Sequence, residues 1–343
     1  MQSTAAPDYG RFAIGFDQRD RDRFHALIDE VIDSNRWSEA TFTERFEQAW
    51  SDWNGLPAVA TSSWSGGALA ALHFAGVEGE TVLCPSNTFM ATPLAAVRAG
   101  ARVEFVDCNR EDLCMSFADF EAKAERYRPK AALLVHIGGH IAFDAKRIAD
   151  YCAAHDIFLI EDCAHAHGAE WRGSDGSVTK PGQYGDAGVY SFYATKTVST
   201  GEGGILVSKR PELIEFARGF RNYGKPSYDV QGLNFRMNEF TAALGLIQTE
   251  RMPDVVAWKN AVAREHLDPR FPGSRLELPA GMTSGLYKYI VFDWLEQSTG
   301  RVYDQPCHRI FGHTHVELPN TDWVAKHHSC PPLYYRPQLD ADS

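Results

Sequence analysis

Between residues 58 and 160 the chain repeats one pattern: a short apolar run, a turn, then a segment of helical period. The runs fall at 58–61, 82–84, 103–106, 131–136 and 158–160, and the helical segments at 68–76, 93–99, 117–126 and 142–155. No two-residue hairpin signal joins neighbouring runs. When a helix follows each strand, the chain is carried back across the sheet, and successive strands pair in parallel. The expected fold is therefore α/β, with a mainly parallel sheet. A dinucleotide-binding version would place G-x-G-x-x-G after an early strand, and no early strand–turn–helix unit carries it.

The flanking segments are helical. Phe24, Leu27, Ile28, Val31 and Ile32 share one face of a helix expected over 20–35, with Asp20 as its N-cap. Phe42, Phe46, Trp50 and Trp53 mark a second, closed by Asn54-Gly55. Further helices are expected at 212–220, at 239–252 behind an Asn238 cap, and at 257–266. The polar stretch 171–185 reads as a loop, and the alternation at 287–294 as a half-buried strand. A length of 343 residues accommodates one large domain and a smaller one.

The chemistry sits on two strand ends. The run at 187–192 (AGVYSF) contains Ser191; Lys196 follows five residues later, then Thr200-Gly-Glu-Gly-Gly204 and another strand at 205–208. A lysine between two buried strands is costly to bury as an ammonium. It is either an ordinary loop lysine or an amine of lowered pKa that condenses with a cofactor aldehyde, and alone it does not decide. The run at 158–160 ends in Glu161-Asp162-Cys163-Ala164-His165. An acid there sits where open α/β sheets hold ligands, although Asp also caps helices. Pyridoxal phosphate needs a carboxylate on its ring nitrogen, because the protonated ring is the electron sink. An Asp at a strand end, followed by a Ser-x-x-x-x-Lys stretch whose lysine lies 34 residues on, meets that need. The Ser/Gly-rich turn at 62–67 enters a helix and offers free N–H groups to a phosphate.

Taken together, EDCAHAHGA (161–169), GDAGVYSFYATK (185–196), TGEGG (200–204) and GLNFRMNEFTAALGLIQ (232–248) resemble the DegT–StrS sugar aminotransferase family, from about residue 35 to 332. The resemblance implies a fold type I pyridoxal-phosphate transferase. Its large three-layer domain would cover 1–250 and a smaller C-terminal α/β domain 251–343, the latter lacking the family's usual final helix. It implies that Lys196 carries the cofactor and moves the proton, that Asp162 holds the ring nitrogen, and that His165 meets the phenolic oxygen or the ring face. Phe89 would stack on the ring. Ser65, Gly66 and Ser191 would hold the phosphate, helped by Asn234 or Arg236 from the partner in a homodimer. Trp64 and the second glycine depart from the family's shorter Ser-Gly-Thr turn. The implied substrates are L-glutamate and a nucleotide-linked keto-deoxy sugar, with a keto-cyclitol as the alternative. A non-catalytic regulator on the same fold would be expected to lose Lys196 or Asp162, and both are present.

Other classes are disfavoured. With 34 basic and 45 acidic residues the net charge is −11, unsuited to nucleic acid or an anionic membrane. No apolar run is long enough to span a bilayer, and the start lacks the basic and apolar regions of a signal peptide. Seven cysteines without C-x-x-C spacing suit reduced, buried thiols in the cytoplasm. No metal is expected at His327-His328 or at His313 and His315, since no Cys or carboxylate spacing supports either pair.

Overall fold

The computed structural model describes residues 15–313 and 315–335. In chain order the elements are α1 (Gln18–Ser34), α2 (Thr41–Asn54), β1 (Ala58–Thr61), α3 (Trp64–Ala75), β2 (Thr81–Pro85), α4 (Ala91–Arg98), β3 (Arg102–Val106), α5 (Phe117–Tyr127), β4 (Ala131–Val135), α6 (Ala145–Ala154), β5 (Phe158–Asp162), β6 (Glu170–Arg172), β7 (Val178–Thr179), β8 (Ala187–Ser191), β9 (Gly204–Val207), α7 (Pro211–Phe220), α8 (Glu239–Val262), β10 (Met282–Thr283), α9 (Cys307–Ile310) and α10 (Pro319–Val324). The main sheet has seven strands in the order β1-β9-β8-β5-β4-β2-β3. Only β9 runs against its neighbours, β1 and β8.

Strand periodicity divides the core between two helical layers. Val82 and Cys84 of β2, Leu133 of β4, Ile160 of β5 and Val189 of β8 face the cluster that holds α3, α4 and α7. Their neighbours Leu83, Ala132, Leu134 and Leu159 face α5 and α6. Further along the same side, Ala58, Ala60, Tyr190, Ile205 and Val207 pack on α1, α2 and α8. This is the expected three-layer α/β architecture.

Long-range polar contacts lock the helices to the sheet. The N-cap of α2 is Ala40, which has no capping oxygen. Glu239, the first residue of α8, supplies one instead. Its carboxylate accepts from the N–H groups of Ala40 (2.9 Å), Phe42 (2.6 Å) and Thr43 (2.9 Å) and from the Thr43 hydroxyl (2.6 Å). Buried Arg221 ties α7 to Glu47 of α2 and to the Ala60 carbonyl. The C-terminal segment docks on the ends of β2 and β3. Cys307 N–H donates to the Ser86 carbonyl (2.9 Å), and Asp107 accepts from the N–H groups of Asn320 and Thr321 at the start of α10.

Four expectations need correction. Asp17, not Asp20, caps α1; Asp20 sits three residues inside and completes a reciprocal capping box. The two helices expected at 239–252 and 257–266 are one, since α8 runs unbroken to Val262 and then loosens into a π turn at Ala263–Leu267. Pro253 removes one helical hydrogen bond, and the burial of Met252, Val255 and Val256 around it outweighs that loss. The stretch 171–185 is not all loop: β6 and β7 form a hairpin, with β10 on the other side of β6. Residues 287–294 form no regular strand. Tyr289, Ile290 and Val291 are buried in succession rather than alternately, and only Val291 makes ladder bridges, to Arg275 and Ser329.

Candidate active site

A cavity of about 930 Å³ opens at the carboxyl ends of β2, β5 and β8. Asp162 ends β5 and Ser191 ends β8. Lys196 lies in the turn between β8 and β9, and Ser65 in the first turn of α3. All four line the cavity with His165 and Phe89. Thr88, Phe89 and Met90 come from the turn after β2, Ala91 and Thr92 from the first turn of α4, and Phe89 is 58% exposed.

Asp162 is buried and accepts from the Thr92 hydroxyl (2.8 Å) and the Ala164 N–H (3.1 Å). Burial raises its pKa, and the two hydrogen bonds resist the rise. The residue before it anchors the strand end. Glu161 accepts from the N–H groups of Gly182 (2.8 Å) and Gly185 (2.6 Å) and faces His136 Nε2 at 2.8 Å. Ala142 N–H donates to His136 Nδ1, so the imidazole proton lies on Nε2, toward Glu161.

Lys196 is partly buried. Burial draws its pKa down to about 8, Lys288 adds to the fall, and Asp162 opposes it. At neutral pH an accessible share of the amine is therefore unprotonated and nucleophilic. His165 is held neutral by burial and by the positive Lys196 and Lys288. Its ring stacks on Tyr287 at 4.1 Å between centroids, and its Nε2 faces the Tyr303 hydroxyl at 3.3 Å.

Ser63 caps α3 without a side-chain hydrogen bond, which leaves first-turn N–H groups without a capping oxygen, and this end of the helix lines the cavity through Ser63, Trp64 and Ser65 beside Ser191. Gly204 of β9 passes directly beneath this turn; a Cβ there would fall 2.4 Å from the Ser63 carbonyl carbon and 2.6 Å from Trp64 N. Gly66 is not brought to the cavity. Its N–H donates to the Ser63 carbonyl (3.1 Å), and its open side is filled by Phe235. The cavity side of the turn is presented by Ser63, Trp64 and Ser65. Asn234 and Arg236 also lie off this cavity. Asn234 is exposed and accepts from Arg236 N–H, while the Arg236 guanidinium binds Asn222 Oδ1 at 2.5 Å.

The donor set suits pyridoxal phosphate. It comprises an amine of lowered pKa, a buried carboxylate, hydroxyls at a helix N-terminus, and a glycine-floored turn for the phosphate.

Sequence reasoning missed Thr92, Lys259, Tyr287, Lys288 and Tyr303, all of which line the cavity. Tyr287 and Lys288 lie in the segment read as a strand, and nothing local marks that strand's sites. Lys259 sits on the helical face of α8, and burial draws its pKa to about 8; a lysine among the apolar positions of that helix was the available signal.

The sequence model of the DegT/DnrJ/EryC1/StrS aminotransferase family matches residues 18–272. The chain belongs to this family. GDP-perosamine synthase of Escherichia coli O157:H7 is 33% identical over 248 residues, 69% of this chain and 65% of that protein. The dTDP-3-amino-3,4,6-trideoxy-alpha-D-glucose transaminase of Streptomyces venezuelae is 31% identical over 270 residues, 76% of this chain and 69% of that protein. Among solved structures, S. venezuelae DesV in complex with a ketimine intermediate superposes with a TM-score of 0.84 at 27% identity, covering 92% of this chain and 90% of DesV. The family match spans α1 through α8 and includes Asp162, Ser191 and Lys196. The chain spans about two thirds (65%) of the length of the perosamine synthase. Among the described residues no helix is long and apolar enough to cross a membrane.

Proposed function

We propose that the chain is a pyridoxal-phosphate aminotransferase of amino-sugar biosynthesis. It would move an amino group from L-glutamate to a nucleotide-linked keto-deoxy sugar, as a cytoplasmic homodimer. The observation that carries this reading is the convergence of Lys196 and Asp162 on one cavity, in a family whose relatives are named as transaminases and synthases of amino sugars. When bound, pyridoxal phosphate supplies an aldehyde that takes up the amino group and a protonated ring that withdraws electrons from the substrate carbon.

The chain's residues do the rest. Lys196 holds the cofactor and, once displaced, carries the proton between the amino-bearing substrate carbon and the cofactor's aldehyde carbon. Asp162 keeps the proton on the ring nitrogen. Burial raises its pKa although Lys196 lies near enough to oppose the rise, and a protonated ring nitrogen would give the carboxylate a partner in direct contact. Ser65, Ser191 and the first turn of α3 hold the phosphate, while Phe89 and His165 flank the ring. Lys259, Lys288 and Arg301 bring basic groups to the cavity lining, which supports an anionic acceptor in a chain of net charge −11. Asn234 reaches the phosphate of the partner's site. The exposed Tyr223, Tyr228 and Leu233 around it support burial against a second copy.

The test is a discontinuous assay: loaded protein, L-glutamate and a panel of nucleotide-linked keto sugars, with 2-oxoglutarate and the aminated sugar read by mass spectrometry. Equal amounts of both products with one acceptor support the reading. No 2-oxoglutarate with any acceptor would sink it.

A further inference from the structure

Tyr287 occupies an unusual position between the two halves of the site. Its ring lies under the Lys196 ammonium, with Nζ 4.8 Å from the centroid. It also stacks on His165 at 4.1 Å and an interplanar angle of 28°. Its hydroxyl pairs with Thr195 Oγ1 at 3.1 Å, one residue before the lysine.

The backbone on either side is fixed to the turn after β4. Gly285 N–H donates to the Gly139 carbonyl and Lys288 N–H to the Gly138 carbonyl, each at 2.8 Å. Gly138 N–H in turn faces His165 Nδ1 at 3.4 Å. A Cβ on Gly139 would fall 2.5 Å from Tyr287 N, so only glycine lets the 286–288 backbone come this close. The ring is therefore held from four sides: by Thr195, by His165, and by two backbone clamps.

We infer that Tyr287 is a positioning residue for Lys196, a platform whose ring face holds the lysine as a free ammonium whenever it is not bonded to cofactor. The inference rests on the proposed use of Lys196. A transferring lysine alternates between bonded and free, and in the free state a flexible four-carbon chain needs a resting place near the reacting carbon. A ring face attracts the ammonium without neutralising it. A carboxylate in the same place would pair with the lysine and hold it charged. The groups facing Lys196 are Asp162 from β5, His165 and His167 from the turn after it, and Lys288 beside Tyr287. Asp162 is the one acid among them, and the ring nitrogen of the cofactor is its proposed partner.

The test uses cofactor-free full-length protein and needs no turnover. The rate of acylation of Lys196 is followed from pH 6 to 10 by peptide mass spectrometry, which gives its titration midpoint. Tyr287→Leu and Tyr287→Met remove the ring face, while Tyr287→Phe keeps it and removes the hydroxyl. The two ring-less variants are expected to lower the midpoint by about 0.5–1 pH unit, the scale of a partly desolvated cation–π contact. Tyr287→Phe is expected to stay at the wild-type midpoint. Methionine fills most of the vacated space, so a folded ring-less protein is available if leucine disrupts the packing. An unchanged midpoint in folded Tyr287→Met would overturn the inference, and so would an equal shift in Tyr287→Phe, which would assign the effect to the Thr195 hydrogen bond. If the ring-less variants shift the midpoint but the wild type transaminates nothing, the platform stands and the proposed reaction falls.

Discussion

The Thr92 hydroxyl donates to Asp162 Oδ2 at 2.8 Å and so joins the first turn of α4 to the end of β5. Asp162 is buried, and this is the one side-chain hydrogen bond given to its carboxylate among the described residues. Thr92 also meets the Thr88 hydroxyl at 3.0 Å, which couples the carboxylate to the turn bearing Phe89. Thr92→Val removes the donor while keeping the shape. It is expected to raise the Asp162 pKa further and to weaken cofactor binding roughly tenfold, the worth of about 1–1.5 kcal/mol of hydrogen bonding. A fluorescence titration of cofactor-free protein reads this, and unchanged affinity would remove Thr92 from the site.

Glu239 caps a helix whose Thr43 lies 196 residues away in sequence. Glu239→Ala leaves the N–H groups of Ala40, Phe42 and Thr43 buried without acceptors. The expected loss is about 3 kcal/mol of folding stability, with Glu239→Gln losing less because its amide oxygen still accepts. Urea unfolding of both variants distinguishes this from a surface substitution, which would move stability by less than about 0.5 kcal/mol.

Acid sensitivity follows from buried neutral histidines. Burial lowers His140 and His328 to about 4 and His167 to about 3. For a histidine depressed on folding, the unfolded chain takes up the proton first. Stability is then fully present above the unfolded value near 6.5 and is lost as pH falls toward 4. Each group adds up to about 1.4 kcal/mol per pH unit. Asp112 opposes them: burial raises it to about 7, so its contribution is present at low pH and lost as pH rises through 7. The histidines outnumber it, and the urea midpoint is expected to fall steeply from pH 6.5 to 4. At His328, Nε2 accepts from Val302 N–H at 2.9 Å, so protonation there breaks a contact next to Tyr303. His328→Asn is expected to flatten the slope by about one proton, whatever it does to absolute stability.

Gly204 floors the turn proposed to hold phosphate. Gly204→Ala drives a methyl group into the Ser63–Trp64 peptide, and backbone must move. The expected result is a loss of about 2–3 kcal/mol in stability and at least tenfold weaker binding of the cofactor. Calorimetry of inorganic phosphate and of the cofactor would check it; wild-type binding of both would mean that the turn is not the phosphate site.

The sheet was legible because its signals are local. Strands covered on both faces are apolar throughout, and each helix between them carries its own period, so β1 to β5 appeared within two residues of their observed ends. Asp162, Ser191 and Lys196 were legible because a strand end fixes where each side chain emerges. The contributions of Tyr287, Tyr303 and Lys259 were not, because they depend on how residues 256–304 wrap over the sheet, and no repeating pattern governs that path. The 287–294 alternation misled for the same reason: its residues face different neighbours on two sides, and its partners each cross it at a single point. Asp20 and Glu239 show a related limit, since a carboxylate near a helix start is readable while the N–H group it serves is not. Gly66 was assigned to the phosphate through the resemblance; in the structure it lies inside α3, does not line the cavity, and has Phe235 against its Cβ side.

The central claim is that Lys196 holds pyridoxal phosphate and gives it up to an amino donor. Its most direct test is the absorbance spectrum of cofactor-loaded protein before and after L-glutamate. The expected result is a band at the visible edge that moves to shorter wavelength on adding glutamate, and no such covalently derived band in Lys196→Ala. A loaded wild-type protein with no band would contradict the role given to Lys196, and a band indifferent to glutamate would contradict the transfer.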